Sequence, residues 1–481
     1  ALVALERQDW DRIWARLVKN FLATAAIGPF ERVVGNPPWV EWKDLPDGYR
    51  QTINAICRAR GLFSDDGYAG GTDLNICVLI AHTALERWVV PGGYLGFLMP
   101  HQLLQVRSTQ GFRRWKLPDG TPLALRALAD WTALRPFEAA CQPVTYLIQR
   151  GVPGPAIVPT RVHALAGRAA RPADAAWRTV RTGVAVTELG ASQVDADGGP
   201  YMIDDPDLLP DMLAWMGECP YRGRRATETS PHGVFWVRPV EGAAVPSAEL
   251  ALVENALNPR SRDKLTRTTA LVERSLLHPM LRGQGIRSFG VTPDPALLLF
   301  PHDAESGTHP RALEQMPPRA LDYLRRYQDV LESRSSFKEY RAKGPFYGMW
   351  RVGPYSFSPY KVVWPEMGEL RAAVIADAPT PWGEPKMLVP EGKVNLVGLD
   401  SADEAHFLCA LLNAPLIKRA YQRMSSQIGR PSRLPFALPS YDAGRYTHRA
   451  LAAVSRAAHA DPAATERVNA LLDWLLARTR R

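Results

Sequence analysis

Two consecutive prolines, Pro37 and Pro38, close a short apolar run and fix the first architectural boundary of this chain. The run is Phe30-Glu31-Arg32-Val33-Val34-Gly35, and it leads straight into Asn36, Pro37, Pro38 and Trp39. Proline has no backbone N–H to give to a ladder, and its ring clashes with a preceding helical turn. A strand that reaches Pro37 therefore ends there. The sequence predicts a strand that presents residues 36–39 as a rigid loop at its carboxyl end.

The rhythm downstream is that of a layered α/β domain. Residues 9–25 set Trp10, Ile13, Trp14, Leu17 and Phe21 at helical spacing. Residues 73–90 predict a second helix, Pro91-Gly92-Gly93 a turn, and Tyr94 to Met99 a strand buried on both faces. Leu125 to Trp131 and Val144 to Gln149 are further strand candidates. In such sheets ligands sit beyond the carboxyl ends of the strands, which is where Asn36 to Trp39 fall. This gives a first region over residues 1–152. Residues 153–200, rich in Ala, Gly, Pro and Arg, are expected to be a connecting segment. Residues 201–440 hold short apolar runs (Phe235 to Val237, Leu297 to Phe300, Lys361 to Trp364) and one clear helix, Ala402 to Asn413. They predict an irregular α+β domain, and residues 441–481 predict a terminal helix pair.

Composition removes several classes. A length of 481 residues suits two or three domains, and 46% hydrophobic with 22% charged residues is a globular balance. Cys57, Cys77, Cys141, Cys219 and Cys409 lie far apart, which excludes a disulfide scaffold or zinc ribbon, implies no metal and fits a reducing cytoplasm. No apolar run is long enough to span a membrane, and the amino terminus has no signal-peptide pattern. The chain enters a helical pattern at once from Ala1, so further sequence upstream is an expectation. A net charge of +9 suits a polyanionic partner. No Asp…Glu-x-Lys nuclease cluster, Ser/His/Asp triad or P-loop is evident.

Asn36 to Trp39 carry the parts needed for chemistry at the exocyclic amine of adenine. That nitrogen is a poor nucleophile because its lone pair is delocalised into the ring. Two acceptors that hold both of its hydrogens favour a pyramidal nitrogen and aim the lone pair. The Asn36 side-chain oxygen is one acceptor and the Pro37 carbonyl the other, with the prolines fixing that carbonyl's direction in advance. An aromatic face, Trp39, then stacks on the base once it has left the duplex.

The segment VVGNPPWVEWKDLP resembles the catalytic motif of amino-methylating DNA methyltransferases, especially the large adenine-specific enzymes of restriction-modification and phage-defence systems. Gly71-Thr72-Asp73-Leu74, then PGGYLGFLMPHQLL, resemble that family's next helix, turn and strand. Phe137 matches the aromatic that packs on the target base from the other side. The segments around Tyr221-Arg222-Gly223, HPMLRGQGIRSF, SPYKVVWPEM and HFLCALLNAPLIKRAY are similar to the recognition domain of combined restriction–modification enzymes. The resemblance implies the C-terminal part of a Rossmann-like methyltransferase sheet, a target-recognition domain and a helical tail. It further implies S-adenosylmethionine as methyl donor and double-stranded DNA as partner.

One departure is large. The family's donor pocket is built mainly by a Gly-rich turn and an acidic residue, and no Asp/Asn-Pro-x-x-Gly-x-Gly or Phe-x-Gly-x-Gly pattern occurs. Apart from Asn36, cofactor-binding residues are expected upstream or on a partner chain. The alternative is a chain that has lost catalysis and serves as a DNA-binding specificity subunit. Methylation of RNA or of a protein glutamine also uses Asn-Pro-Pro, and the recognition-domain resemblance disfavours it.

Other residues keep two readings. Lys43 is a phosphate contact or an ordinary surface lysine, Asp73 a helix N-cap or a group near the catalytic loop, and His101 a structural histidine or a cleft residue. Arg222, Arg224 and Arg225 form a basic loop, and Arg282, Gln284 and Arg287 alternate with Gly283 and Gly285; both suit phosphates or base edges. Gln427, Arg430 and Arg433 are a third expected DNA-contact group. Trp131, Trp215 and Trp236 read as core.

Overall fold

The computed structural model describes residues 28–64, 74–137, 141–166, 176–257, 265–335, 337, 344–424, 433–461 and 465–479. The helix expected over residues 9–25 lies outside them. The chain divides into two units at Leu213/Ala214.

The first unit is built on a seven-stranded mixed sheet of order β1-β2-β4-β3-β5-β6-β7. The strands are β1 (Phe30–Gly35), β2 (Val89–Pro100), β3 (Leu123–Asp130), β4 (Pro143–Arg150), β5 (Val158–Leu165), β6 (Val184–Gln193) and β7 (Tyr201–Asp204). The β1/β2 and β3/β5 pairs are parallel. The β2/β4, β3/β4, β5/β6 and β6/β7 pairs are antiparallel. Residues 153–200, expected to connect, instead supply β5 and β6, which extend this sheet. Polar and exposed residues within both strands hide them, and what holds them is backbone pairing to β3, to one another and to β7.

β2 also departs from expectation. Pro91 to Gly93 are not a turn between elements; they form a bulge inside the strand, where pairing jumps from Phe30↔Val89 to Arg32↔Tyr94. Gly93 is required there, since a Cβ would stand 2.8 Å from the Glu31 carbonyl. Beyond the bulge Leu95, Phe97 and Met99 are buried, while Tyr94, Gly96 and Leu98 are half-buried. One face of β2 is core, and the other is only partly covered.

Two helices follow β1: α1 (Asp47–Ala59) and α2 (Ile76–Arg87). α1 is amphipathic and buries Ile53 and Cys57. α2 is buried on nearly every side, so it is a core helix between sheet and surface. Its cap is Asn75, whose side-chain oxygen accepts from the Cys77 amide at 3.2 Å. Asp73, read as the cap, lies outside the described residues.

The core of this unit also holds a buried cation. Arg113 is 2% exposed, and its guanidinium donates to the carbonyls of Leu103, Val106, Gly198 and Gly199 and to the Thr109 hydroxyl. It thereby ties the segment after β2 to the β6–β7 turn. Burial lowers its pKa to about 10.

The second unit contains a six-stranded sheet of Thr269–Glu273, Leu250–Asn255, Trp236–Pro239, Asp294–Leu299, Leu277–Leu281 and Val389–Pro390 in spatial order. A four-stranded sheet runs Ala373–Ile375, Tyr360–Pro365, Val394–Leu399, Arg224–Arg225. The helix Ala402–Asn413 forms as read, capped by Ser401 accepting from Glu404 N. The tail forms the expected pair of helices, Tyr446–Ala460 and Thr465–Thr479. The first of them is integral to the unit. His459 Nε2 accepts from the Val374 amide at 3.0 Å, and His406 lies 3.1 Å from the Ser455 hydroxyl. Among the described residues no helix is long and apolar enough to cross a membrane.

Candidate active site

Strand directions gather the site. β1, β2 and β3 run the same way, because β4 is antiparallel to both β2 and β3. Asn36 after β1, His101 after β2 and Asp130 at the end of β3 therefore share one edge of the sheet. Gly35 pairs with Phe97, which carries Asn36 to the level of Leu98 on the neighbouring strand.

Asn36 is exposed, and its side chain makes no hydrogen bond to a described residue. Pro37 is buried and Pro38 exposed. Trp39 is half-buried against the core, and its indole Nε1 donates to the Leu98 carbonyl at 3.2 Å. The loop beyond is pinned on both sides: Ile76 N donates to Val40 O at 2.9 Å and Trp42 N to Leu74 O at 2.7 Å. Trp42 is 8% exposed and meets Phe63 edge-on at 5.3 Å. Residues 36–39 thus leave a strand and enter a helix cap with little freedom between, while the Asn36 amide stays open. Lys43 ion-pairs with Glu41 at 2.5 Å.

The same edge carries a carboxylate, Asp130, that the sequence reading did not single out. Asp130 accepts from the Thr132 amide at 2.8 Å and faces His101 Nε2 at 3.8 Å. The His101 backbone donates to Gln142 O at 2.7 Å. Burial lowers the His101 pKa against the pull of Asp130. Trp131, expected in the core, is half-buried and stacks on His163 of β5 at 4.0 Å and 14°. Its indole N–H donates to Thr145 at 3.0 Å. Phe137, in the segment between β3 and β4, is 43% exposed. An acidic residue closing the strand Leu123 to Ala129, in which the one charged residue is the exposed Arg126, was the available signal for Asp130.

The basic residues of the second unit separate. Adjacent strand residues point to opposite sheet faces, so Arg224 and Arg225 part company. Arg224 lies over the Tyr355 ring at 5.6 Å. Arg225 ion-pairs with Glu366 and donates to Gly392 O. Arg222 is exposed. Arg282 ion-pairs with Asp294 at 3.4 Å and sits over Trp236 at 5.0 Å. It lines a cavity of about 330 Å³ together with Gln284 and Arg287, both exposed. Arg433 is exposed, and Gln427 and Arg430 lie outside the described residues. Trp215 and Trp236 are buried, as read.

β1, β2 and β3 are followed by Asn36, His101 and Trp131 rather than by a glycine-rich turn. No group of three or more His, Cys, Asp or Glu suited to a metal occurs among the described residues.

No family model matches the sequence, and no curated protein matches it. Solved structures do. A type IIL restriction-modification enzyme, MmeI, in complex with DNA aligns at 10% identity and TM-score 0.48, covering 93% of this chain and 54% of that one. The type IIG restriction endonuclease BpuSI aligns at 13% identity and TM-score 0.27, covering 89% and 49%. A nuclease-deletion mutant of the type ISP enzyme LlaGI, with a DNA substrate mimic, aligns at 10% and 0.37, covering 90% and 35%. This chain spans about half the length of these structures or less. At TM-scores below 0.5 none of these likenesses establishes a shared fold.

Proposed function

We propose that this chain presents the exocyclic amine of an adenine, extruded from duplex DNA, for methylation. The observation that carries this reading is the pairing of an unengaged Asn36 amide with an indole, Trp39, whose plane is tied to β2 through Leu98, at the carboxyl edge of a mixed sheet. Asn36 Oδ1 accepts one amine hydrogen and the Pro37 carbonyl the other; no described residue donates to that carbonyl. The prolines limit the directions open to the Pro37 carbonyl before the base arrives, whereas the Asn36 side chain, held by no described residue, is ordered by the base itself. Trp39 stacks on one face of the purine and Phe137 on the other, and the second unit contacts DNA through Gln284 and Arg287.

The donor this reading calls for is S-adenosylmethionine, and its pocket is expected on residues other than those described. β1 supports this. It is an edge strand, paired only with β2 among the described residues, and Phe30 and Val34 are 49% and 83% exposed. An apolar edge strand left open is a template for further strands.

The test is Asn36→Ala in the chain together with its native neighbouring sequence or partner. Methylation of adenine is expected to vanish while DNA binding persists; retained methylation overturns the mechanism. The lack of a glycine-rich donor motif in the sequence favours a second reading, a DNA-binding specificity subunit without catalysis in a restriction-modification or phage-defence complex. Calorimetric titration with S-adenosylmethionine separates the two: absence of binding, both alone and with the partner, selects the second.

A further inference from the structure

A cavity of about 470 Å³ opens in the second unit beside the four-stranded sheet, and it is well within the size range of small-molecule sites. We propose that it binds a single nucleotide whose base carries an exocyclic amine. Three kinds of group converge there. Arg222 and Arg224 both line it, and neither has an acidic partner among the described residues, whereas Arg225 on the opposite face is neutralised by Glu366. The Arg224 guanidinium lies over the Tyr355 ring, whose hydroxyl is anchored to Arg351 O at 2.8 Å. A guanidinium backed by an aromatic ring is a stacking platform for a base.

The third group is Glu404. Its carboxylate lines the cavity together with the buried Tyr221, whose phenol accepts from the Tyr441 amide at 3.0 Å. In that wall the carboxylate is an acceptor for a donor on a bound molecule. A carboxylate beside a stacking plane selects bases with an amino group, since a carbonyl in its place would be repelled. Arg222, exposed at the mouth, is left for the phosphate. A simple anion site would need neither Tyr355 nor Glu404, and a carboxylate within it would weaken anion binding.

This nucleotide has two possible sources with the same chemistry, an extrahelical residue of a DNA strand or a free mononucleotide. The proposal is independent of methylation at Asn36, and Asn36→Ala is expected to leave it untouched. The experiment is calorimetric titration of the whole chain with the four deoxynucleoside monophosphates, with inorganic phosphate, and with two duplexes, one fully paired and one carrying a single extrahelical cytidine. The adenine, guanine and cytosine nucleotides should bind more tightly than the thymine nucleotide and than phosphate. Arg224→Gln should weaken that binding by about tenfold or more, and Glu404→Gln should erase the preference for an amino group. Arg222→Gln, at an exposed position, should weaken binding without altering the melting temperature and so guards against a folding artefact. A preference for the extrahelical duplex that Arg224→Gln removes identifies DNA as the source; nucleotide binding without that preference identifies the free nucleotide. No binding of any nucleotide, affinities unchanged in both arginine variants, or phosphate binding as tightly as the nucleotides overturns the proposal.

Discussion

The Trp39 indole nitrogen and the Leu98 carbonyl, 3.2 Å apart, join the loop after β1 to the strand beside it. This bond turns a flexible aromatic side chain into a fixed wall. Trp39→Phe keeps a ring but loses the donor, and unfolding by urea should show a loss of about 1 kcal/mol in the first unit. Trp39→Ala also loses the stacking face. Binding of a duplex with an extrahelical adenine should then weaken by roughly 1–3 kcal/mol, read from the fluorescence of a 2-aminopurine placed at that position. Wild-type stability in Trp39→Phe would show that the bond does not hold the ring.

Gly93 controls how β1 lies against β2. A methyl group there meets Glu31 O at 2.8 Å, Val89 Cγ1 at 2.9 Å and Val90 O at 3.0 Å. Two of these are backbone atoms that cannot turn aside. Gly93→Ala should cost roughly 1–3 kcal/mol by displacing β1, and with it Asn36. Gly48 in α1 is the control, because a Cβ there meets nothing within 4 Å. Gly48→Ala should be neutral or stabilising by up to about 1 kcal/mol. Equal midpoints in denaturant for the two variants would refute the steric account.

The contrast between these positions shows which parts of the fold were legible. The loop at Asn36 could be read because two prolines leave a strand no alternative. The helix Ala402–Asn413 could be read because a Ser cap precedes an apolar run. β5 and β6 could not, since Pro159, Arg161 and His163 interrupt the apolar residues of one and part of the other is exposed, and β5 joins the sheet through the non-consecutive β3. Trp131 was read as core because sequence shows that it is apolar but not that its stacking partner is His163 on β5. The three arginines at 222, 224 and 225 looked like one cluster; a strand's two-residue period divides them, and only the strand Arg224–Arg225 reveals that.

Acid should weaken the second unit through its buried histidines. His302 Nε2 accepts from the Met349 amide at 3.0 Å, and its Nδ1 lies 3.0 Å from His309 O. The ring is therefore neutral, with Nδ1–H donating. Burial lowers its pKa to about 4, and His278 and His406 are lowered to about 4 as well. The unfolded chain takes up these protons near pH 6.5, before the folded chain does. The stability is fully present above about pH 6.5 and falls as pH drops towards 4, by up to about 1.4 kcal/mol per pH unit for each histidine. His302→Gln should reduce that slope by about one histidine's share, measured as unfolding free energy between pH 6 and 4.5. An unchanged slope would mean that His302 titrates normally.

Arg282 and Arg287 line the same cavity, yet they should behave differently when removed. Arg282 is committed to Asp294 and to the Trp236 face, so Arg282→Ala leaves a part-buried carboxylate without its cation. The expected outcome is a stability loss of about 1–2 kcal/mol. Arg287 is exposed, with no ion pair among the described residues. If the second unit contacts DNA here, Arg287→Ala should leave stability unchanged and lower the slope of log affinity against log salt by about 1, the signature of one lost phosphate contact. Gln284→Ala should leave that slope intact and instead relax the preference at one base pair by about 1–3 kcal/mol, because a neutral amide releases no counterion but can pair with a base edge. Titrations of duplex DNA at several salt concentrations distinguish the three. A salt slope identical in wild type and Arg287→Ala would remove this cavity from the DNA-binding surface.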